Sequence, residues 1–317
     1  MINKKLIIIS PIFEDKDVAK RLFKEIAKIY TDNVFIVAVD DGSVHFPLEI
    51  DCIESANLPG VVIKLKKNVG HQRSIAVGLS YVEEKMNDES QIVIMDSDGE
   101  DRPESIKELL VLLESKDNDL IVASRKSRVE TIWFSCFYVI YKWIFKLLSG
   151  RKINFGNYVA LKPLAVKRLV SMQELWMHVA SCILMSKLRI DTCSIDRGER
   201  YSGKGKTNFI GQVLHGFRAL MVFSEDVLVR VGMACALVAF LSVLGSVSAI
   251  ILKILGFATP GWFSVALGIL LLVFLQTGAL TLITLMLTGV IKSGSISPAN
   301  YKDFIDDIKH TKNTNPN

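Results

Sequence analysis

The stretch Gln91–Glu104, QIVIMDSDGEDRPE, decides how this chain folds and what kind of site it carries. It opens with a short apolar run, Gln91–Met95, and passes directly into the acidic sequence Asp96–Asp101, after which Pro103 is suited to begin a helix. Four carboxylates within six residues repel one another at neutral pH. A divalent cation among them would offset that repulsion, so the stretch predicts a buried strand that ends at a metal site.

Short apolar runs and amphipathic segments alternate on both sides of this stretch, from residue 5 to residue 125. The predicted strands are Lys5–Ser10, Val34–Val39, Val61–Leu65, Gln91–Met95 and Leu120–Ala123. The predicted helices between them are Asp15–Tyr30, Gly70–Glu84 and Pro103–Glu114. This alternation is typical of an α/β fold in which helices cover both faces of a mostly parallel sheet. Ligands bind beyond the carboxyl ends of such strands, where Asp40-Asp41 and Asp96–Asp101 lie.

Two long uncharged runs follow in the last third of the chain. Val231–Leu252 has 22 residues without a charge and Ala258–Ile291 has 34. A bilayer core needs about 20 apolar residues per helix, so each run is predicted to span a membrane. Pro260-Gly261 is expected to break the second run, so its helix should begin near Trp262. The alternative, two core helices of a soluble protein, fits such long runs less well.

Basic residues flank this hairpin and predict its orientation. Arg218 and Arg230 precede the first run, only Lys253 lies in the connecting turn, and four lysines follow the second run: Lys292, Lys302, Lys309 and Lys312. The positive-inside rule then places both termini and the soluble domain in the cytoplasm, on a multi-pass protein of the cytoplasmic membrane. The net charge of +5 does not argue for nucleic acid, but it suits an anionic membrane surface and phosphorylated substrates.

Two further segments are expected to lie at the membrane surface. Residues 131–148, TIWFSCFYVIYKWIFKLL, are aromatic and apolar, with lysines at Lys142 and Lys146, which is typical of an interfacial helix. A buried helix of the soluble domain remains an alternative there. Residues 209–224 are also amphipathic. We therefore expect a soluble domain at 1–225, a two-helix hairpin at 226–292, and a loose polar cytoplasmic tail at 293–317.

Two more polar motifs are candidates for ligand binding. The first, Asp40-Asp41-Gly42-Ser43, follows the second predicted strand. It has the composition of an ordinary turn. Alternatively, its carboxylates accept hydrogen bonds from the base or ribose of a nucleotide. Residues 197–207, RGERYSGKGKT, place four cations among three glycines. Glycine lets backbone N–H groups approach phosphate oxygens, and Arg and Lys supply charge. A basic patch that contacts lipid headgroups is the alternative, and both interpretations hold if a lipid phosphate is the substrate.

The order of these motifs resembles one known family. The elements that carry the resemblance are Ser10–Asp15, Asp40–Ser43, Asn68–Gly70 with Ala76 and Gly78, Asp96–Glu104, Ala123–Arg125 and Arg197–Thr207. Together with the hairpin they are similar to the polyprenyl-phosphate glycosyltransferases of glycosyltransferase family 2, which are relatives of dolichol-phosphate mannose synthase. The resemblance implies a GT-A catalytic domain that uses Mg²⁺ or Mn²⁺ and binds a nucleotide sugar.

The resemblance also implies roles for individual residues. Pro11, Glu14, Asp40 and Asp41 would line the nucleoside pocket, and Arg197 would join this donor-binding set. Asp98 and Glu100 would bind the metal, with Asp96 on the donor side as a further ligand. The phosphates of donor or acceptor would be held by Arg125, Arg200 and Lys206. Three positions depart from the family pattern: Glu14 replaces the usual Asn, Gly205 stands where Ser is common, and Asn154 stands where an acidic residue is frequent.

The expected reaction is transfer of one sugar, with inversion, from a UDP- or GDP-linked donor to a polyprenyl phosphate such as undecaprenyl phosphate. An acceptor phosphate has a second pKa of about 6 and is largely anionic at pH 7, so it can attack without a general base. Two alternatives stay open: transfer to a carbohydrate or lipid hydroxyl, and a membrane scaffold that binds nucleotide sugars without turnover. The sequence is compatible with a homo-oligomer and leaves the sugar unspecified.

Overall fold

The computed structural model describes residues 2, 5–30, 33–115, 117–125, 132–152, 155–196, 198–201, 209–257, 261–294 and 300–312. The chain divides into two compact units. The first consists of residues 1–139, 153–222 and 297–317, and the second consists of residues 140–152 and 223–296. The second unit thus consists of two insertions in the sequence of the first.

An eight-stranded sheet forms the centre of the first unit. Its strands are β1 Leu6–Ile12, β2 Val34–Asp40, β3 Gly60–Leu65, β4 Gln91–Ile94, β5 Leu120–Arg125, β6 Val159–Leu161, β7 Ile190–Ile195 and β8 Ile305–His310. They lie in the order β7-β5-β6-β4-β1-β2-β3-β8. The pairs β1–β2, β1–β4, β2–β3 and β5–β7 are parallel, whereas β6 and β8 run antiparallel to their neighbours.

Helices cover both faces of this sheet, as the sequence predicts. The helices of the first unit are α1 Lys16–Ile29, α2 Asp51–Glu54, α3 His71–Lys85, α4 Ile106–Ser115, α6 Pro163–Val170, α7 Val179–Met185 and α8 Phe209–Met221, and α5 Ile132–Ser149 runs from the first unit into the second. Side chains of β1 alternate between the two apolar layers: Ile7 and Ile9 pack with α3, and Leu6 and Ile8 pack with α1 and α4. The mostly parallel α/β fold is therefore confirmed, and its strand ends form the edge where the site lies.

Strands β6, β7 and β8 were not predicted from the sequence. The expectation of a loose tail after residue 292 is wrong for Ile305–His310, which pairs with β3 and completes the sheet. The physical reason is that an edge strand needs few apolar residues, and charged residues protect its open side. The sequence IDDIKH has this composition, so its polarity concealed a strand.

The second unit is built around two long helices, α9 Ser224–Ile254 and α10 Trp262–Gly294. The start of α10 at Trp262 agrees with the prediction from Pro260-Gly261. Both helices are long and apolar enough to cross a membrane, and most of their described side chains are exposed in the isolated chain. Close contacts at small residues join them: a Cβ added at Gly232 would lie 3.1 Å from Thr284 Oγ1, and one added at Gly245 would lie 3.2 Å from Leu270.

Lys253 lies in the last turn of α9 and not in the connecting turn, where the sequence had placed it. Its ammonium group sits 4.1 Å from the ring centroid of Phe263 at the start of α10. At the opposite end of α9, Arg230 Nη1 donates to the carbonyl of Leu147 at 3.4 Å, and the rings of Phe145 and Phe223 meet edge to face at 5.8 Å. The carboxyl half of α5 therefore packs against the start of α9 within this unit.

Candidate active site

An acidic turn follows β4 at the carboxyl edge of the sheet. Two of its carboxylates stabilise the turn itself: Asp101 accepts a hydrogen bond from the backbone N–H of Asp96 at 2.9 Å, and Asp98 accepts one from Glu100 at 3.0 Å. Gly99 has a φ of +89°, a conformation that costs a glycine little and other residues more. The turn thus keeps Asp98 and Glu100 side by side.

Arg200 neutralises this pair of carboxylates. Its Nη2 lies 3.0 Å from Asp98 Oδ2, and its Nε donates to Glu100 Oε1 at 2.6 Å. The backbone joins the same two segments, because Gly198 N donates to the Glu100 carbonyl and Tyr201 N donates to the Asp98 carbonyl, each at 2.9 Å. The segment Gly198–Tyr201 therefore lies directly against the acidic turn.

The fit between these segments depends on glycine at both contact points. A Cβ added at Gly198 would lie 2.2 Å from the Gly99 carbonyl oxygen, and one added at Gly99 would lie 2.7 Å from the ring of Tyr201. Tyr201 is anchored in turn, since its hydroxyl donates to Glu25 and the guanidinium of Arg21 lies 4.2 Å from its ring centroid. Helix α1 therefore supports Tyr201, and Tyr201 supports the turn.

The electrostatics of the turn follow from burial and from crowding of like charges. Burial raises the pKa of Asp98, and the neighbouring Asp96 and Glu100 raise it further, against the lowering effects of the Glu100 N–H and of Arg200. Burial works against the charge of Arg200, but its hydrogen bond to Glu100 and the attraction of Asp98 raise the pKa of its guanidinium. A positive charge at the position of the Arg200 guanidinium therefore stabilises the ionised forms of Asp98 and Glu100.

Asp96, the first residue of the acidic turn, contacts a different partner. Its Oδ1 lies 3.1 Å from Nε2 of His71, the first residue of α3. The same imidazole nitrogen is 3.1 Å from the side-chain amide nitrogen of Asn157, just before β6. Asp96 thus pairs with His71 and not with Arg200 in the contacts described, and its role as a further metal ligand stays a prediction.

Asp40 and Asp41 are buried and hold the neighbouring loops in place. Asp41 accepts hydrogen bonds from Val69 N at 2.7 Å and Gly70 N at 3.0 Å. Asp40 accepts from the backbone of Ser43 at 3.1 Å and Leu48 at 2.9 Å. Burial raises the pKa of Asp41, and these N–H groups oppose that effect. These bonds give both carboxylates a structural role, and contact of either one with a nucleotide stays a prediction.

Glu14 closes the loop that follows Asp40 and Asp41. Its carboxylate accepts hydrogen bonds from three successive backbone N–H groups, those of Val44, His45 and Phe46, at 2.7 to 3.1 Å. The Val44 N–H contributes most to lowering the pKa of Glu14. Glu14 itself has a φ of +50°. The acidic side chain of Glu14 thus finds its hydrogen-bond donors within the protein.

The remaining predicted residues are placed as follows. Pro11 is buried in β1, opposite Val39 of β2. Arg125 ends β5 and is opposite Ile195 of β7 in the register. Arg197, Lys206 and Asn154 lie outside the described residues.

Among the described residues, no group of three or more His, Cys, Asp or Glu side chains is arranged to hold a metal ion. The Asp98–Glu100 pair nevertheless fits a divalent cation, because hard carboxylate oxygens are the ligands that Mg²⁺ and Mn²⁺ prefer. The Arg200 guanidinium already occupies the position of a positive charge between them. A metal can therefore use these oxygens once Arg200 moves away.

Sequence reasoning missed a pair of histidines in the same unit. His178 precedes α7 and His215 lies in α8, with 3.1 Å between their Nε2 atoms. His178 Nδ1 accepts a hydrogen bond from Ser181 N, and burial lowers the pKa of His178 to about 3. His178 is thus neutral and joins α7 to α8. Histidines 37 residues apart on unrelated segments leave no pattern that sequence inspection could detect.

Comparison with known proteins agrees with the architecture of this unit. Residues 7–138 match the model of the family described as glycosyl transferase family 2. The match covers less than half of the 317 residues and shows a likeness to that family. The matched residues run from β1 to β5 and include the acidic turn and the Asp40-Asp41 motif, and the chain is accordingly a glycosyltransferase.

Relatives resemble this glycosyltransferase over most of its length. YkoT of Bacillus subtilis strain 168, an uncharacterized glycosyltransferase, is 24% identical over 284 residues, which cover 86% of this chain and 83% of YkoT. A solved structure with a similar fold is glucosyl-3-phosphoglycerate synthase from Mycobacterium tuberculosis, in complex with Mn²⁺, UDP and glucosyl-3-phosphoglycerate. Its TM-score is 0.51 at 11% identity, and the alignment covers 72% of this chain and 80% of the synthase. Its complex with UDP has a TM-score of 0.52 at 9% identity, covering 71% and 80%. At such identities the likeness shows a shared GT-A fold.

Proposed function

We propose that this glycosyltransferase moves a single sugar from a nucleotide-sugar donor to a polyprenyl phosphate at the cytoplasmic face of the cytoplasmic membrane. One observation carries the proposal: between β7 and β8, two strands of its catalytic sheet, the chain forms a hairpin of two apolar helices. A transferase with a membrane hairpin inserted in its catalytic fold is suited to an acceptor that never leaves the bilayer.

Exposed apolar side chains on two other helices support contact with a membrane surface. On α8, Leu214, Phe217 and Met221 are exposed at spacings that share one helix face. On α5, Trp143 and Leu147 are exposed, whereas Phe145 is buried. These faces suit interfacial helices, as the sequence predicts. The basic residues that flank the hairpin favour both termini on the cytoplasmic side.

The donor in this proposal is a UDP- or GDP-linked sugar bound with Mg²⁺ or Mn²⁺. Asp98 and Glu100 would hold the ion, with Asp96 next to them on the donor side. Such an ion would neutralise charge on the diphosphate leaving group. The synthase from M. tuberculosis, which was solved with Mn²⁺ and UDP, lends support through its fold alone. Arg125, Arg200 and Lys206 would supply further positive charge for donor and acceptor phosphates.

The proposed reaction needs no general base from the protein. An oxygen of the acceptor phosphate attacks the anomeric carbon from the face opposite the nucleotide, and the bond to the diphosphate breaks with its electron pair leaving on that diphosphate. A phosphate monoester has a second pKa of about 6, so the attacking oxygen is largely unprotonated at pH 7. The acidic turn is therefore free to hold a cation, which would neutralise the negative charge that develops on the leaving diphosphate.

The test uses the full chain in detergent with polyprenyl phosphate and a panel of radiolabelled UDP- and GDP-sugars. We expect label in an organic-extractable product that mild acid releases, and inversion at the anomeric carbon. Asp98→Ala should abolish transfer, whereas Asp88→Ala, which removes an exposed carboxylate paired with Lys167, should not. Label in an acid-stable glycolipid or glycan would instead show a hydroxyl acceptor. Nucleotide binding without any transfer would show the scaffold alternative.

A further inference from the structure

The segment that follows the second apolar helix contacts the loop that leads from β3 toward the predicted nucleoside pocket. We define residues 300–312 as the C-terminal strap and residues 66–70 as the donor loop. We propose that the C-terminal strap is a positioning element that orders the donor loop for nucleotide binding. This inference rests on the proposed function, because it takes the nucleotide of that function as the ligand.

The C-terminal strap is built into the catalytic sheet along the whole of β3. The antiparallel register runs from Val61 opposite His310 to Leu65 opposite Ile305. Beyond β8, Thr311 N donates to the Gly60 carbonyl, and Thr311 Oγ1 accepts from Gly60 N, both at 3.1 Å. These bonds fix the register between the C-terminal strap and β3.

The beginning of the C-terminal strap is anchored by side chains. The ring of Phe304 stacks on Trp176 with 5.2 Å between centroids. Lys302 Nζ lies 2.8 Å from Glu84 Oε1 at the end of α3, and Tyr301 is buried and hydrogen-bonds the same carboxylate. The turn Tyr301–Phe304 is therefore held against α3 and the segment before α7.

This anchored turn holds Lys66, the first residue of the donor loop, by two bonds. Lys66 N donates to the Phe304 carbonyl at 3.0 Å, and Lys66 Nζ donates to the Asp303 carbonyl at 2.9 Å. The register between β3 and β8 shifts between Lys64 and Leu65, just before this point. The backbone and the side chain of Lys66 are thus both fixed by carbonyl groups of the C-terminal strap.

From Lys66 the contacts continue directly into the predicted nucleoside pocket. The backbone of Lys67 and Asn68 packs so closely on Gly42 that an added Cβ would lie 2.3 to 2.7 Å from it. The next two N–H groups, of Val69 and Gly70, are the ones that Asp41 accepts. A displacement at Lys66 is therefore transmitted to Asp41 and Gly42 within four residues.

This arrangement has a specific kinetic consequence. A disordered donor loop must be ordered when the nucleotide binds, and that cost weakens donor binding. In this proposal the C-terminal strap acts on donor binding alone. Loosening it should therefore raise the KM for the donor by about tenfold and leave kcat and the KM for the acceptor unchanged.

The experiment compares three variants of the full chain. Phe304→Ala removes the stacking on Trp176. Phe304→Tyr keeps an aromatic ring at this position and should have wild-type kinetic constants. Asp306→Asn is a matched control, because Asp306 is an exposed residue of β8. Steady-state kinetics give the KM for each substrate and kcat. Hydrogen exchange at Val69 and Gly70 reports the order of the donor loop, and we expect faster exchange in Phe304→Ala alone. If Phe304→Ala does not fold, Phe304→Leu, which keeps apolar volume, should show a smaller increase of donor KM.

Two results would overturn the inference. One is a donor KM and a Val69 exchange rate that stay at wild-type values in Phe304→Ala. The other is a fall of kcat at constant donor KM, which indicates only a loss of folded protein. Calorimetry of UDP and GDP binding without acceptor separates this inference from the proposed function. If the wild-type chain binds neither nucleotide, the nucleotide donor is refuted. If wild type and Phe304→Ala bind equally well, only the role of the C-terminal strap is refuted.

Discussion

Replacement of Arg200 by glutamine should affect metal binding and nucleotide binding in opposite directions. The Arg200 guanidinium occupies the acidic turn, paired with Asp98 at 3.0 Å and Glu100 at 2.6 Å. A divalent cation must displace it before it can use the same oxygens. Arg200→Gln removes this competitor and its charge, so Mn²⁺ alone should bind more tightly. The nucleotide diphosphate should bind more weakly, because it loses a cation.

The size of the effect on metal binding follows from the exposure of the partners. The side chains of Arg200, Asp98 and Glu100 are 33%, 26% and 10% exposed, so each ion pair is screened in part by water. A pair of this kind contributes about 1 kcal/mol, at the upper end of the values for exposed pairs. The two pairs together contribute about 2 kcal/mol, which corresponds to about 30-fold in the dissociation constant for Mn²⁺.

The assay titrates Mn²⁺ into wild-type protein and variants and follows the signal of free Mn²⁺ by electron paramagnetic resonance, without nucleotide. Arg102→Gln is the matched control, since it removes a nearby guanidinium whose only described ion pair is a 3.6 Å contact with exposed Glu104. An affinity for Mn²⁺ that is unchanged or weaker in Arg200→Gln would refute the competition. The same affinity gain in Arg102→Gln would show a general effect of charge.

Three further outcomes are expected. Gly99→Ala should abolish transfer in a folded protein, because its Cβ would lie 2.7 Å from the Tyr201 ring. Gly256→Ala is the control, since Gly256 also has a positive φ but has open space around it, and this variant should stay active. An active Gly99→Ala variant would contradict the packing of Gly99 on Tyr201. Glu14→Gln should accelerate hydrogen exchange at residues 44–46, because a neutral amide accepts fewer hydrogen bonds than the carboxylate. An unchanged exchange rate would show that the order of this loop does not depend on Glu14. The pKa of His178 falls from 6.5 to about 3 on folding, so the unfolded chain binds the proton first and stability is lost as pH falls from 6.5 toward 3. His178→Gln should therefore reduce the drop in thermal unfolding temperature between pH 7 and pH 5, and equal drops would exclude His178 as its source.

The sequence predicts the first half of the glycosyltransferase domain closely. Strands such as Val34–Asp40 are continuous apolar runs because both faces of the sheet are covered, and α1 shows the spacing of an amphipathic helix. Strand β6 has only three residues, and β7 alternates polar and apolar side chains at a sheet edge, so neither has a strong signal. Strand β8 depends on a partner at least 240 residues away, which local patterns cannot reveal.

The candidate site was predicted in part. The positions of Asp98, Glu100 and Arg200 were identified from residue type, but their direct pairing was not, because contacts between residues 100 positions apart are set by tertiary packing. Glu14, Asp40 and Asp41 were expected at the nucleoside pocket, and the structure shows that each also binds backbone N–H groups of its own loops. His71 and Asn157 were missed as neighbours of Asp96, since neither belongs to an acidic or basic cluster.

The pairing of β8 with β3 also determines when the catalytic sheet can close during synthesis. A ribosome makes β3 early and β8 only after both apolar helices, and chains fold as their segments emerge. Contacts between such distant segments slow folding, because a long loop must close first. The open edge of β3 is therefore exposed until β8 has been made, and a chain that terminates before Ile305 would carry an unpaired strand that invites aggregation.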